Sequence, residues 1–318
     1  MQILDSEQTT RHLPFERLIP ALRDMFVQGC QVPLRHTHAI DGGPGASGTL
    51  LIMPAWQAGG RLGVKTVCIF PGNQARGLPG LHSTYVLSDA ASGKPLAMLD
   101  GDAITSRRTA AASALAASWL ARADARKLLV LGAGRVGALL PYAYRAVRDI
   151  AQVEVWNPNA QRAQALVERL RADGFEAQVS QDLQASVRQA DIVSCATLAN
   201  APLVRGEWLQ PGAHLDLIGS FAPAMRESDA QCFARATVFV DTPEALAKSG
   251  DILEAVREGA FDPAATAATL EQLCRREHAG RKDQAQITLF KSVGTALEDL
   301  AAASLAYDAA QGAQVRQA

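Results

Sequence analysis

Near the middle of the chain, an apolar run leads into a glycine-rich loop and out again, as Leu128-Leu129-Val130-Leu131-Gly132-Ala133-Gly134-Arg135-Val136-Gly137-Ala138-Leu139-Leu140. The pattern GxGxxG between a buried strand and a helix is typical of a dinucleotide-binding turn. In such a turn Gly132 makes the tight bend, Gly134 lets a pyrophosphate approach the backbone, and Gly137 lets the helix lie close to the strand. The alternative is a glycine turn in an α/β protein that binds no cofactor.

The segments around this loop favour the cofactor interpretation. From about Lys127 onward, short apolar runs alternate with helical patterns, which predicts a parallel sheet wound with helices. Six strands are predicted, and six parallel strands make a complete Rossmann sheet. The predicted strands are residues 128–131, 153–156, 177–180, 191–195, 214–218 and 237–240.

The upstream half of the chain lacks this alternation. A predicted helix at 15–29 precedes β-rich segments around 48–54, 63–70 and 83–88, so we expect a separate α+β domain. Two further helices are predicted, an alanine-rich one at about 105–123 and a last one at about 287–310 that packs back on the first domain.

The predicted fold class is therefore α/β, with a six-stranded Rossmann domain and a second, discontinuous α+β domain. At 318 residues the chain has the length of two ordinary domains. The predicted α+β domain consists of residues 1–118 with 290–318, and the predicted Rossmann domain is 119–289.

Composition and charge exclude several classes of function. Lys and Arg number 31 against 32 Asp and Glu, which gives a net charge of −1, so neither nucleic acid nor a membrane surface is an expected partner. No secretory leader and no apolar run of about 18 residues is present in the sequence, so we expect a cytoplasmic protein. The five cysteines are widely spaced, which predicts reduced thiols rather than disulfides or a zinc site.

The end of the second predicted Rossmann strand bears on cofactor choice. An acidic residue that binds the ribose is usual about 20 residues after the glycine loop. Here the segment reads Trp156-Asn157-Pro158-Asn159, with Arg162 a turn later. Asn157, Asn159 and Arg162 could bind a 2′-phosphate, so the sequence mildly favours NADPH over NADH. The alternative is that Arg162 is a solvated helix residue and that both cofactors bind.

A second segment makes the sequence more specific. Residues 99–116, LDGDAITSRRTAAASALA, resemble a signature of the ornithine cyclodeaminase and mu-crystallin family, and the likeness extends over nearly the whole chain. The further matching segments are Met53-Pro54, residues 63–65, 70–73, the glycine loop, 191–197, 211–214 and 290–294.

The resemblance implies a first domain that binds substrate and forms a homodimer, and a Rossmann domain that holds the nicotinamide cofactor. It implies a small α-amino, α-imino or α-keto acid substrate, whose carboxylate would be bound by Arg35, Lys65 and Arg108. Paired cationic donors are what a buried carboxylate requires, and a guanidinium can bind it bidentately. The alternative is three surface cations, the usual environment of Arg and Lys. Arg108 fits that alternative least, because its flanking residues are small and apolar.

The resemblance also places His82 near the cofactor and substrate, where it could donate a proton. A structural hydrogen-bonding role is the alternative for a lone histidine on a strand. Thr197, Gly219 and Ser220 join the glycine loop as predicted cofactor contacts. His36 and His38 lack a third ligand, so no metal site is predicted.

One position separates two activities of the family. Ornithine cyclodeaminases carry an aspartate just after a glycine at the end of the fifth Rossmann strand, and Phe221 stands at that position here. Phenylalanine offers neither a base nor a charge partner for an ammonium group. The segment Gly-Ser-Phe-x-Pro-x-Met-Arg-Glu instead resembles the family's ketimine reductases. The predicted activity is NAD(P)H-dependent reduction of Δ1-pyrroline-2-carboxylate to L-proline, with Phe221 against the substrate ring.

Three alternatives stay open on the sequence alone. Two are enzymes of the same family, an ornithine cyclodeaminase and an alanine dehydrogenase. The third is a non-catalytic protein that binds NADPH or a small molecule, as mu-crystallin does. The ring size of the imine and the identity of the proton donor, whether Lys65, His82 or solution, are also open.

Overall fold

A computed structural model gives the fold and describes residues 1–43 and 46–315. The chain divides into two compact units: unit one is Met1–Arg108 with the segment from Thr295 onward, and unit two is Thr109–Gly294. The predicted α/β fold class is confirmed. Of the domain boundaries predicted from the sequence, the one between residues 118 and 119 falls inside the helix Gly101–Leu120. The one between residues 289 and 290 falls inside the strand Thr288–Lys291.

The described residues form the following strands and helices. The strands are β1 Gln2–Leu4, β2 His36–Asp41, β3 Ser47–Trp56, β4 Arg61–Ile69, β5 Leu81–Asp89, β6 Pro95–Asp100, β7 Lys127–Leu131, β8 Gln152–Trp156, β9 Glu176–Val179, β10 Ile192–Cys195, β11 Asn200–Val204, β12 His214–Leu217, β13 Arg226–Ser228, β14 Thr237–Val240, β15 Ala268–Thr269 and β16 Thr288–Lys291. The α-helices are α1 Ser6–Arg11, α2 Phe15–Gln28, α3 Gly101–Leu120, α4 Leu140–Arg145, α5 Ala160–Ala172, α6 Leu183–Gln189, α7 Ala230–Arg235, α8 Glu244–Lys248, α9 Gly250–Arg257, α10 Leu270–Cys274 and α11 Ala296–Val315.

Unit one is a six-stranded sheet with helices on one face. The strand order is β1-β6-β5-β4-β3-β2, and every neighbouring pair is antiparallel except β1 with β6. Helix α11 packs on β3, β4 and β5, and α2 packs on α11. Leu18, Leu22 and Phe26 recur at helical spacing on the buried face of α2, so the hydrophobic effect fixes that helix to α11.

Alternation along the strands divides the sheet of unit one into two faces. Met53, Lys65 and Tyr85 are paired across β3, β4 and β5 and lie on the face that the helices bury. Side chains of the opposite parity, among them Ile52 and Val64, are only half-buried. The period of two along a strand therefore assigns each residue to one face or the other.

Unit two is an eight-stranded parallel sheet in the order β15-β14-β16-β12-β10-β7-β8-β9. All six predicted strands are present, within one residue of the predicted bounds. The sheet gains β15 at one edge and β16 between β12 and β14. The strands β10, β12 and β16 are buried on both faces, as expected for a parallel sheet covered by helices.

The predicted start of the last helix, at about residue 287, was therefore wrong. Residues 288–291 form strand β16, and helix α11 begins at Ala296 instead of about 287. The run Thr-Leu-Phe-Lys is short, and a run of this length does not distinguish a buried strand from a helix segment. Its pairing with β12 and β14, distant in the sequence, makes it a strand.

No described helix is long and apolar enough to cross a membrane. All five cysteines are free thiols, and three of them, Cys195, Cys232 and Cys274, are buried. Among the described residues, no group of three or more His, Cys, Asp or Glu side chains is arranged to hold a metal ion.

Candidate active site

Two of the predicted carboxylate-binding cations lie together in the interior of unit one. Lys65 on β4 is 2% exposed and Arg108 on α3 is 6% exposed. The ammonium group of Lys65 donates to the Thr105 hydroxyl, one turn before Arg108, at 3.2 Å. Neither residue is therefore a solvated surface cation, which was the alternative for both.

Two acidic residues at the start of α11 pair with these cations. Asp299 bridges them, with Oδ2 2.7 Å from Lys65 Nζ and Oδ1 2.8 Å from Arg108 Nε. Glu298 Oε2 lies 2.7 Å from Arg108 Nη1. Both acids are fully buried. Arg108 Nη2 has no hydrogen-bond partner in the described part of the chain, so the guanidinium retains donors for a ligand.

Sequence reasoning missed Glu298 and Asp299. They are separated from Arg108 by 190 and 191 positions, and they belong to a segment that was predicted as the interior of a longer helix. The only signal available was their position in the first turn of α11, where acids are common for reasons of the helix dipole alone.

Burial and neighbouring charges shift the pKa values of this group. The pKa of Lys65 is lowered to about 8, chiefly by burial; Asp299 opposes the shift, and Arg108 and Arg35 add to it. Burial alone would raise the pKa of Asp299, but Lys65 and Arg108 outweigh it and hold the pKa below its usual value. An ammonium group with a pKa near 8 can hold or release a proton close to neutral pH.

Arg35 belongs to the same electrostatic environment. It directly precedes β2, is half-buried, and its charge is among those that lower the pKa of Lys65. The structure thus brings the three predicted cations of unit one into one region, with Arg35 at its more exposed side.

His82 lies elsewhere. It is exposed on β5, paired with Cys68, whereas Tyr85 on the same strand is paired with Lys65. Because His82 and Tyr85 differ by three positions on a strand with unbroken register, their side chains lie on opposite faces of the sheet. The structure does not bring His82 together with Lys65 and Arg108. Its catalytic role stays a prediction that the placement disfavours.

The glycine loop of unit two has the geometry that a dinucleotide needs. Gly132, with φ +102°, follows β7, and a β-carbon there would lie 2.5 Å from the Ala196 carbonyl oxygen. A β-carbon at Gly137 would collide with the Gly132 carbonyl, so strand and helix start approach closely. At Gly134 a β-carbon would meet no atom of the described residues within 4 Å. Space for a ligand therefore opens at the one glycine predicted to face the pyrophosphate.

The rest of the loop differs from the sequence expectation in one respect. The chain enters a short 3-10 turn at Gly137–Leu139 before α4, whose first turn contains Pro141. The helix after the loop is thus only six residues long. Ala133, Arg135 and Val136, the other predicted contacts, lie on the loop, and Arg135 is exposed.

Asn157 has a role within the protein itself. Its Oδ1 accepts from the Ala133 backbone N–H at 3.1 Å, and its Nδ2 donates to the Asn159 carbonyl at 3.0 Å. Asn159 in turn caps helix α5 by accepting from the Arg162 backbone N–H at 3.1 Å. Asn157 therefore ties the glycine loop to the start of α5, and the Arg162 side chain is exposed nearby in sequence.

The loops that follow β10 and β12 contain the other predicted cofactor contacts, and Glu227 joins them. Its Oε1 accepts from the Thr197 backbone N–H and hydroxyl, both at 2.7 Å, and its Oε2 accepts from the Gly219 backbone N–H at 2.6 Å. Ser220 accepts from the Asp251 backbone N–H and donates to the Met225 carbonyl. Sequence reasoning assigned Glu227 no role, although it is the last residue of the quoted segment Gly-Ser-Phe-x-Pro-x-Met-Arg-Glu.

The pKa of Glu227 is raised to about 7, chiefly by burial; Lys291 and the bonds from Thr197 oppose the shift, and Asp251 adds to it. Phe221, which follows these loops, is 49% exposed, and its backbone N–H donates to the Gly219 carbonyl. It thus presents an apolar side chain at the carboxyl ends of the strands, where open α/β sheets bind ligands.

A separate cavity of about 410 Å³ in unit two contains none of the predicted site residues. Lys127, Gln152 and Glu176 line it, and they are the first residues of β7, β8 and β9. It therefore lies at the amino ends of the strands, away from the glycine loop.

Together, unit one with its buried cations and unit two with its Rossmann sheet and glycine loop define a dinucleotide-binding enzyme architecture. The sequence profile of the ornithine cyclodeaminase/mu-crystallin family matches residues 4–314. The chain belongs to that family.

Relatives and solved structures agree with this assignment. A Δ1-pyrroline-2-carboxylate reductase of Paracoccus denitrificans is 40% identical over 307 residues, 95% of each chain. An uncharacterised protein of Schizosaccharomyces pombe is 45% identical over 318 residues, 96% of each chain. The structure of the Thermococcus litoralis Δ1-pyrroline-2-carboxylate reductase in complex with NADH and L-proline is 31% identical, has a TM-score of 0.91, and covers 99% of this chain and 98% of its own.

Proposed function

We propose that this protein is an NAD(P)H-dependent reductase that converts Δ1-pyrroline-2-carboxylate to L-proline. The observation that carries the proposal is the buried pair Lys65 and Arg108, whose donors suit one carboxylate, in a chain whose other unit has a dinucleotide loop. The relatives named for this reaction support it.

In the proposed reaction the clamp, defined as Arg35, Lys65 and Arg108, binds the substrate carboxylate and so orients the ring. A fixed orientation replaces much of the entropy that a free encounter would lose. A reduced nicotinamide dinucleotide held at the glycine loop would supply the hydride that C2 of the imine accepts. The nitrogen must carry one proton, and we assign its donation to Lys65, whose pKa of about 8 keeps it mostly protonated at neutral pH.

Phe221 favours imine reduction over cyclodeamination of a diamino acid. Cyclodeamination needs a group that accepts a proton from the substrate amine and pairs with an ammonium ion, and a benzyl side chain does neither. Its half-exposed ring suits contact with the ring carbons of a cyclic imine.

For the cofactor we propose that either reduced nicotinamide dinucleotide binds, with a mild preference for NADPH. The support is the absence of a carboxylate at Asn157 and the presence of Arg162 at the start of α5. The complex of the Thermococcus litoralis reductase contains NADH, which supports binding of the unphosphorylated dinucleotide as well.

We also propose that two copies associate through the sheet face of unit one that no helix covers. Half-buried apolar side chains line that face on four adjacent strands, among them Ile52, Val64, Val86 and Met98. An archaeal alanine dehydrogenase described as a dimer with bound NAD has a TM-score of 0.91 to this chain. Ile52→Asp should give a monomer in light scattering; a wild-type protein that is already monomeric would contradict the proposal.

The free thiols fit a cytoplasmic location.

The test is an assay with purified protein and NADPH or NADH. Δ1-pyrroline-2-carboxylate, Δ1-piperideine-2-carboxylate, and pyruvate with ammonia are offered separately, and the absorbance of the reduced nicotinamide is followed. L-Ornithine with NAD+ is offered in parallel, and ammonia is measured. We expect oxidation of NAD(P)H with the five-membered imine and no ammonia from ornithine. Ammonia release at the rate of imine reduction would contradict the assignment of Phe221, and the absence of any turnover would favour a non-catalytic binding protein.

A further inference from the structure

Glu298 and Asp299 are the unexpected part of the clamp region, because a site for an anion already contains two anions. The buried group consists of two cations, Lys65 and Arg108, and two carboxylates, so its formal charge is zero. All four side chains are at most 7% exposed. Burying a carboxylate beside another is costly unless each is paired, so this arrangement calls for an explanation.

We propose that Glu298 and Asp299 are positioning and specificity residues of the clamp, which make it accept a ligand with one carboxylate and reject a ligand with two. The inference rests on the proposed role of the clamp in binding the substrate carboxylate.

The positioning role follows from the geometry of the ion pairs and hydrogen bonds. Asp299 uses both oxygens, one on each cation, and thereby fixes Lys65 on the sheet relative to Arg108 on the helix. Glu298 takes Nη1, so the guanidinium is held at two of its three nitrogens and its plane cannot rotate. Nη2 is left as the donor for a ligand, in a direction that the protein has already set. Rigid donors lose less entropy when the ligand binds.

The specificity role follows from the charges. Substrate as the imine carries one negative charge, that of its carboxylate, and the half-buried Arg35 supplies the one positive charge that the neutral buried group lacks. A second carboxylate on the ligand would add a negative charge close to Glu298 and Asp299 in a medium of low dielectric constant, where like charges repel strongly. Arg35, the half-buried cation, lies at the exposed side of the group. Water there screens its attraction for a second carboxylate.

The charged groups around Lys65 are Asp299 and Glu298 on α11, Arg108 on α3, and Arg35 just before β2. The uncharged polar groups are Thr105 on α3 and Tyr85 on β5. Asp299 raises the pKa of Lys65 against the effects of burial, Arg108 and Arg35. Asp299 therefore keeps Lys65 protonated at neutral pH.

The experiment compares Asp299→Asn with wild type in calorimetric binding to the NADH-saturated protein. The two probes are pyrrole-2-carboxylate and pyrrole-2,5-dicarboxylate, which share a ring and differ by one carboxylate. Wild type should prefer the monocarboxylate by about 100-fold, and Asp299→Asn should reduce that preference by about tenfold or more. Asp308→Asn is the matched control, because Asp308 is on the same helix and pairs at 2.8 Å with Arg61 on the exposed side. Its preference should equal that of wild type.

A second readout is the pH profile of kcat/KM. Because Asp299 raises the pKa of Lys65, its removal should move the alkaline limb of the profile to lower pH, whereas Asp308→Asn should leave it in place. A purely structural role for Asp299 would lower the melting temperature without moving the limb. If Asp299→Asn does not fold, Glu298→Gln serves as the second variant, with the same expected loss of preference for the monocarboxylate.

Equal affinity of wild type for both probes would overturn the proposal, as would an unchanged preference in folded Asp299→Asn. Both results come from binding measurements and do not require turnover. A protein that shows the expected preference but does not reduce the imine would contradict the proposed function and leave the specificity inference supported.

Discussion

The two units each bury a cluster of charged side chains, and the clusters are built in opposite ways. In unit one, Lys65 and Arg108 are matched by Glu298 and Asp299, and every ion pair is 2.7 or 2.8 Å long. In unit two, the carboxylates Glu227, Asp241 and Asp251 outnumber the one buried lysine of their cluster, Lys291. In the neutral cluster Lys65 and Arg108 hold the pKa of Asp299 below its usual value, whereas in the acidic cluster burial, with a contribution from Asp251, raises the pKa of Glu227 to about 7.

The difference lies in what the carboxylates bind. In unit two they accept mainly backbone N–H groups: Glu227 those of Thr197 and Gly219, and Asp241 those of Val293 and Gly294. These bonds fix loops at the carboxyl ends of the strands. In unit one the carboxylates bind side-chain cations and fix the directions of their remaining donors. One cluster therefore shapes a site through the backbone, and the other presents side chains to a ligand.

The largest effect is expected at Arg108. Arg108→Lys keeps the charge but loses the planar fork, so kcat/KM for the imine should fall by about 100-fold or more while the Kd for NADH changes by less than about twofold. The matched control is Arg107→Lys. Arg107 neighbours Arg108 on α3 but donates to the Leu13 carbonyl and stacks on Phe15, so its replacement should lower the melting temperature and leave kcat/KM nearly unchanged. Equal kcat/KM for Arg108→Lys and wild type would remove Arg108 from the clamp.

A smaller effect on a different parameter is expected at Glu227. Glu227→Gln keeps one acceptor oxygen but loses the charge-assisted bonds to the two loops, so the Kd for the dinucleotide should rise by about tenfold. Affinity for pyrrole-2-carboxylate at saturating cofactor should change little. Glu258→Gln, at an exposed ion pair with Arg226, is the control. Loss of the monocarboxylate site with unchanged cofactor affinity would reverse the roles of the two clusters.

The same carboxyl group should leave a signature in stability against pH. The pKa of Glu227 is raised from 4.5 to about 7, so between these values the folded protein binds more protons than the unfolded chain. Stability should therefore fall as pH rises through this window, by on the order of 3 kcal/mol for this group. Urea unfolding of wild type and Glu227→Gln at several pH values tests this: the variant should lack that part of the slope. Parallel slopes would mean that Glu227 has an ordinary pKa.

Asn157 should affect the choice of cofactor more than the chemistry. Asn157→Asp keeps the acceptor for the Ala133 N–H but loses the donor to the Asn159 carbonyl and adds a negative charge. The ratio of kcat/KM for NADPH to that for NADH should fall by about tenfold, because the carboxylate disfavours a 2′-phosphate. Gln189→Glu, which adds the same charge beside the cavity at the amino ends of the strands, away from the glycine loop, is the control. If wild type does not use NADPH, the interpretation of Asn157 is wrong.

The smallest effect is expected at His82. Its side chain is exposed and lies on the opposite sheet face from Lys65, so His82→Ala should change kcat by less than about twofold at any pH. Lys65→Met removes the proposed proton donor and is the contrasting variant. A loss of more than about tenfold in His82→Ala would restore the histidine as a catalytic candidate and weaken the assignment to Lys65.

The sequence predicts the Rossmann sheet well because its signals are local. The glycine loop and the six short apolar runs each report on their own segment, and each forms the strand or turn predicted for it. Lys65 and Arg108 were predicted through the family signature, and the structure buries both. Local patterns are therefore sufficient where one segment determines its own conformation.

The remaining features depend on contacts between distant segments. Strand β16 forms because it pairs with both β12 and β14. Glu298 and Asp299 pair with the cations of the clamp only when α11 packs on the sheet. The face on which His82 lies depends on the register of β4 with β5. Burial and pairing of these side chains are properties of the packed chain, and no short stretch of sequence reports them.

The central claim is that the buried clamp holds the carboxylate of a cyclic imine. The most direct test compares kcat/KM for Δ1-pyrroline-2-carboxylate with that for 2-methyl-1-pyrroline, which has the same ring and imine but a methyl group in place of the carboxylate. We predict a loss of about 1,000-fold or more without the carboxylate, together with formation of one L-proline per NAD(P)H oxidised from the natural substrate. Similar kcat/KM values for the two imines would contradict the account, because Lys65 and Arg108 would then have no part in binding the substrate.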